Sequence, residues 1–170
     1  EDLQQLIPNI IAQGLLGYAF VCPDMIGGGE YKSFLNLTEV DQELVVRSAQ
    51  CHALMPMMQF SVAPWRILSK ENFAICKKMA ELHVAFGEEI LKLAKQSAQT
   101  GEPMVRHLEY AFPHQGYAEI DDQFLLGEDI LVAPVLELGA RSRVVQFPPG
   151  VWQDEFGTTF QGPAEKTVQA

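Results

Sequence analysis

One carboxylate in this chain stands where chemistry is often done. Asp24 follows the apolar run of residues 18–22 and leads into Met25-Ile26-Gly27-Gly28-Gly29. A short, wholly apolar run is expected to form a strand buried on both faces of a parallel sheet. Loops at the C-terminal ends of such strands carry the sites of α/β folds, barrels included, and glycines there let backbone approach a ligand closely. Two readings of Asp24 stand together: a ligand-facing carboxylate, or an Asx-type residue bonding its own backbone. A phosphate cradle fails on specific residues. The dinucleotide fingerprint needs glycine where Lys32 stands, and no Gly-Lys pair occurs for a P-loop.

The other reactive residues point to packing. His52, His83, His107 and His114 show no H-E-x-x-H or paired metal spacing. His83 falls on the inner stripe of a helix and reads as a satisfied core histidine. There is no G-x-S-x-G elbow. Met55, Met57 and Met58 read as core, and Glu43 with Arg47 as a solvated i, i+4 helix pair. Cys22, Cys51 and Cys76 contain no C-x-x-C pair and read as buried free thiols. Asn36-Leu37-Thr38 fits the glycosylation sequon, a pattern short enough to arise by chance.

The elements that must position these residues alternate. Leu3, Leu6, Ile7, Ile10 and Ile11 recur at helical spacing around Pro8, and Gly14 and Gly17 punctuate the end. A strand is expected at residues 18–22. A helix capped at Thr38, supported by Asp41, carries Val40, Leu44, Val45, Cys51, Leu54 and Met55 up to Pro56. A second buried strand is expected at residues 57–60. One long helix from a Ser69 cap runs to Gly101, with an inner stripe from Phe73 through Cys76, His83 and Ile90 to Ser97. Such alternation builds parallel sheets with crossover helices. After Gly101 the texture becomes β-rich. Strands are expected in residues 104–112, 123–126, 130–136 and 142–147, then a Pro148-Pro149-Gly150 turn, a strand at Val151-Trp152 and a fraying tail from Gly162.

Composition excludes several classes. The 170 residues hold 12 Lys and Arg against 22 Asp and Glu, a net charge of −10, which argues against nucleic acid as a partner. No apolar run reaches the roughly 18 residues of a membrane span. The start at Glu1-Asp2-Leu3 falls inside an expected helix and suggests a piece of a longer protein.

Taken in order, the motifs resemble glycoside hydrolase family 31. G-L-L-G-Y-A-F-V-C-P-D-M-I-G-G at 14–28 is similar to that family's G-x-x-G-x-x-x-x-x-x-D-I-G-G segment. Glu43, Leu44, Arg47 and Gln50 resemble its E-L-x-x-R-W-x-Q helix, with Ser48 in place of tryptophan. Pro64-Trp65 resembles its P-W loop, and residues 101–106 its G-x-P-V-M-R. Residues 123–135 resemble Q-F-M-L-G-D-x-L-L-V-A-P-V, and residues 144–152 V-Y-L-P-x-G-x-W.

The resemblance implies an α/β fold: the C-terminal portion of a (β/α)₈ TIM barrel followed by an all-β, β-sandwich segment. Residues 1–101 would be the last strands and helices of the barrel, and 102–170 the start of the proximal β-sandwich domain. It implies retaining hydrolysis of an α-linked oligosaccharide or glycoside, with no cofactor or metal. The catalytic aspartates lie on earlier strands, so the chain itself holds no catalytic residue and the remainder of the barrel is expected upstream. Asp24 would line the sugar pocket. Many members carry R-N-H or R-S-H after the eighth strand, whose histidine bonds the sugar. Here Gln59-Phe60-Ser61 takes that place, and the M-Q-F-S-V-A-P-W-R run resembles a branch that α-galactosides or other sugars fit as well as α-glucosides. Gln59 and Trp65 are further sugar-contact candidates, with packing as the other reading. A non-catalytic carbohydrate-binding or regulatory module is the alternative function, and a structural fragment without independent function the third.

Overall fold

A computed structural model of the chain describes residues 3–28 and 40–169. Thr38, the glycosylation sequon and Gly29 lie outside them. Helix α1, Leu3–Leu15, buries Leu3, Leu6, Ile7, Ile10, Ile11 and Gly14, the stripe its spacing dictates. Pro8 sits inside α1, where it cannot donate to the preceding turn. Helix α2, Gln42–His52, is capped by Asp41, whose carboxylate accepts from Leu44 N at 3.0 Å. The helix lies between two apolar clusters. Val45, Val46 and Ala49 join Ile26 and Cys76, whereas Cys51 joins the α1 residues.

Gln42 starts α2 and also anchors the next helix. Its Oε1 accepts from Ser69 N at 2.7 Å and from Asn72 Nδ2 at 2.9 Å. Ser69 then caps α3, Lys70–Ala85, as its sequence predicts. The single long helix does not form. It divides into α3 and α4, Gly87–Thr100, at Phe86, where ψ is near zero and a glycine follows. Gly101 ends α4 at φ 78°, donating its N–H to Ser97 O.

The two apolar runs expected as strands depart further from expectation. Residues 18–22 and 57–60 form no regular strand; their neighbourhood holds one isolated parallel bridge, Ile26 to Phe60. Tyr18 and Phe20 are exposed, as is Met57, while Val21 and Met55 are buried. A strand persists only when a neighbour takes its backbone groups, and among the described residues none pairs with residues 18–22.

Beyond Gly101, β1 (Val105–Arg106), β2 (Phe124–Leu126) and β3 (Ile130–Val132) form an antiparallel sheet in that order, with Val105 opposite Leu126 and Leu125 opposite Leu131. The expected strand over 104–112 is cut short by α5, Leu108–Ala111, which His107 caps by accepting from Glu109 N. Strands β4 (Ser142–Gln153) and β5 (Thr159–Gln169) pair as a long hairpin. The expected Pro-Pro-Gly turn is instead an irregularity within β4 between Phe147 and Gly150, and the expected fraying tail is β5 itself. Gly162 fits there because a Cβ would collide with the Pro148 carbonyl. One apolar core runs through α1, α4 and the β1–β2–β3 sheet, with Ile7, Leu93, Phe124 and Val132 among its members.

Two polar devices hold the β-rich part in place. Gln123, fully buried, acts as a fragment of strand: Nε2 donates to Gln146 O at 2.8 Å and Oε1 accepts from Gln146 N at 2.9 Å. The second device corrects the expectation of a solvated Glu43–Arg47 pair. Arg47 is buried and donates through Nη2 to Ala140 O at 2.6 Å, with Glu43 at 3.5 Å. Glu43 Oε1 accepts from Gly139 N at 2.9 Å and Arg141 Nη1 at 3.2 Å. The Gly139 N–H, chief among these, holds the Glu43 carboxyl below its ordinary pKa.

Gln123→Ala leaves both Gln146 backbone groups unpaired and is expected to cost about 3 kcal/mol of stability in urea unfolding. Arg47→Ala is expected to cost about 2 kcal/mol, against less than about 0.5 kcal/mol for the exposed Arg141→Ala. Because the Glu43 pKa is depressed on folding, its contribution is present above the ordinary carboxylate range and lost as pH falls through the folded value. Glu43→Gln should therefore flatten the acid limb of the stability profile.

Candidate functional site

The site is built on the two segments joined by the Ile26–Phe60 bridge. Ile26 N donates to Gln59 O at 2.8 Å, and Ser61 donates to Ile26 O from both its N and its Oγ, each at 3.0 Å. These bonds lay residues 24–28 alongside residues 59–61 in parallel. Asp24, two residues before the bridge, and Gln59, one residue before it, thus belong to adjacent chain segments, and both are exposed. Cys22 is exposed as well and donates from Sγ to Gln59 Oε1 at 3.9 Å, which corrects its placement among buried thiols. Cys51 and Cys76 are buried, and burial pushes the Cys76 thiol up to about 11.

Asp24 bonds its own backbone, as the second reading of it expects. Oδ1 accepts from Met25 N at 2.8 Å, an Asx-type bond to its own backbone, while the residue stays open to solvent. Trp65 lies on a short 3₁₀ turn, Pro64–Arg66, and is 67% exposed. It meets Phe73 edge-on with centroids 6.2 Å apart. An exposed indole offers an apolar face of the kind that sugars stack on. Among the described residues, two grooves of about 560 and 630 Å³ flank β4, and neither is lined by Asp24, Gln59 or Trp65.

The histidine that matters locally is one that spacing does not single out. His52 is fully buried at the end of α2. Nδ1 lies 2.6 Å from Ser48 O on the same helix, and Nε2 lies 2.6 Å from Asp24 O. A neutral ring has one N–H and serves one carbonyl at a time, whereas an imidazolium serves both. Burial opposes the charge and outweighs the two carbonyls and the Asp24 carboxylate, pulling the His52 pKa below its ordinary value. His83 is satisfied as expected, with Nδ1 3.0 Å from Ala53 O. Among the described residues no three His, Cys, Asp or Glu side chains gather as a metal site.

Residues 101–170 match the profile of the glycosyl hydrolase family 31 C-terminal domain. Over 93% of its length the chain is 40% identical to myogenesis-regulating glycosidase of Mus musculus. The chain belongs to glycoside hydrolase family 31. It is also 35% identical to SITS-binding protein of Tetronarce californica over 98% of its length, and 30% identical to alpha-glucosidase 2 of Bacillus thermoamyloliquefaciens over all of it. Among solved structures it superposes on the GH31 dextranase of Flavobacterium johnsoniae with a TM-score of 0.87 at 28% identity, covering 99% of this chain and 21% of that one. The chain spans 22–23% of the length of these curated relatives. Because burial holds the His52 pKa below its ordinary value, the folded and unfolded chain are expected to differ in proton uptake there. With a folded pKa below the unfolded one, stability is full above the ordinary imidazole value, about 6.5, and falls as pH drops toward the folded value. Urea midpoints on either side of that pH should show the fall in the wild type and lose this component in His52→Gln.

Proposed function

We propose that the protein to which this chain belongs is a retaining α-glycosidase acting on an α-linked oligosaccharide or glycoside. In this reading residues 1–101 are the last strands and helices of a TIM barrel and 102–170 open the proximal β-sandwich domain. The remainder of the barrel lies upstream in sequence. The observation that carries the reading is the pairing of the Asp24 and Gln59 segments through the Ile26–Phe60 parallel bridge, in a chain whose fold superposes on a GH31 dextranase. Neighbouring parallel strands of a barrel present their C-terminal loops to one pocket.

Retaining hydrolysis needs two carboxylates about 5–5.5 Å apart, one as nucleophile and one as acid/base. The chain supplies neither in this proposal. Its part is substrate binding. Asp24 accepts hydrogen bonds from sugar hydroxyls through its carboxylate, Gln59 donates or accepts through its amide, and Trp65 offers an apolar ring face. Gln59-Phe60-Ser61 places an amide where many family members bring an imidazole to the sugar, so substrate preference is expected to differ from theirs.

A panel of aryl α-glycosides, offered to the full-length protein and to the 170-residue chain alone, tests this. Turnover is expected from the full-length protein and none from the isolated chain. Asp24→Asn in the full-length protein is expected to lower kcat/KM about 100-fold through lost hydrogen bonds to the sugar, and Trp65→Ala about ten-fold. Sugar binding without turnover by the full-length protein would favour the non-catalytic binding module, and turnover by the isolated chain would overturn the placement of the catalytic pair.

A further inference from the structure

We propose that His52 is a positioning residue for the sugar pocket: its ring grips the Asp24 carbonyl from helix α2 and thereby sets where the Asp24 carboxylate stands. The inference rests on the reading of Asp24 as a sugar-contacting group. It deepens that reading by assigning a role to a residue 28 positions away in sequence.

The grip is local and specific. Downstream of Asp24 the segment is held at Ile26, by Gln59 O and by Ser61. Among the described residues the carboxylate is tied to the next peptide, through Met25 N. His52 acts on the Asp24 peptide itself, 2.6 Å from its carbonyl oxygen, from a ring with no solvent exposure. We take the ring as the neutral tautomer protonated at Nε2, which donates to Asp24 O, with Nδ1 2.6 Å from Ser48 O on the ring's own helix. A carboxylate placed by such a contact binds the sugar in the ground state and in the transition state alike, so loosening it raises KM and leaves kcat nearly unchanged.

Two conservative variants separate the two ring nitrogens. Glutamine can return a donor at the reach of Nε2, toward Asp24 O, and asparagine at the reach of Nδ1, toward Ser48 O. In the full-length protein, assayed with an aryl α-glycoside that it turns over, His52→Ala is expected to raise KM about ten-fold with kcat within about two-fold. Hydrogen exchange at the Met25 and Ile26 amides should quicken in parallel. His52→Gln should recover most of the KM and the protection, and His52→Asn neither. Equal behaviour of the Gln and Asn variants, or unchanged KM and exchange in His52→Asn, overturns the proposal, and this pair decides the matter even if the alanine variant does not fold. If the protein turns over no glycoside, the glycosidase reading fails on that result, while amide exchange in the same two variants still decides whether His52 holds the Asp24 segment.

Discussion

The burial of one guanidinium on helix α2 constrains the rest of the chain. Arg47 is nearly enclosed, and taking an arginine out of water is costly unless its donors are met. Here they are met by the Gln50 side chain, the Ala140 carbonyl and the Glu43 carboxylate at 3.2, 2.6 and 3.5 Å. Nε finds no partner among the described residues. The compensation therefore depends on residues 139–141 staying against the helix, and Glu43 secures them by accepting from Gly139 N. A surface ion pair contributes little. This one stabilises because its partners are backbone groups that move only if the seam opens.

Helix α2 thus carries opposite tasks at its two ends. Its first turns, with Glu43 and Arg47, hold the β-rich part of the chain. Its last turn, with His52, holds the segment that carries Asp24. Between them Val45, Val46 and Ala49 pack against Ile26 and Cys76. A rigid helix with both contacts couples the position of the candidate pocket to the seam, because neither end can rotate without unseating buried side chains. The helix is set in turn by Gln42, whose amide oxygen fixes the start of α3.

The helices were legible because their signals are local. The stripe of α1, the Ser69 cap and the Gly101 stop all lie within a few residues of the structure they specify. Strand formation depends on partners distant in sequence, and there the reading failed in both directions. Residues 18–22 have strand composition but no ladder among the described residues, while β5 has Gly162, Pro163 and charged residues yet forms a ladder because β4 lies beside it. The break at Phe86 was hidden because the apolar stripe continues across it, from His83 through Ile90 to Leu93. At the candidate site, Asp24 was singled out by its place between an apolar run and a glycine-rich loop, and Gln59 and Trp65 through resemblance to family motifs; His52 was not, since its partner is 28 residues away and no spacing rule joins them. Gln123 was legible as a motif residue but not as a buried bridge to Gln146.

The exposed apolar residues have a physical meaning of their own. Leu15, Leu16, Tyr18 and Phe20 are each more than half exposed, and they run continuously from the end of α1 into the segment that forms no strand. Scattered surface apolar residues are ordinary, whereas four large ones so close in sequence are a dense exposure. The same stretch also lacks ladder partners for its backbone among the described residues. Side chains without cover and peptides without partners in one place call for the same remedy, a neighbouring strand. A barrel supplies such a strand on both sides of every member. This convergence supports the proposed architecture independently of the sequence motifs, because it rests on exposure and hydrogen bonding alone.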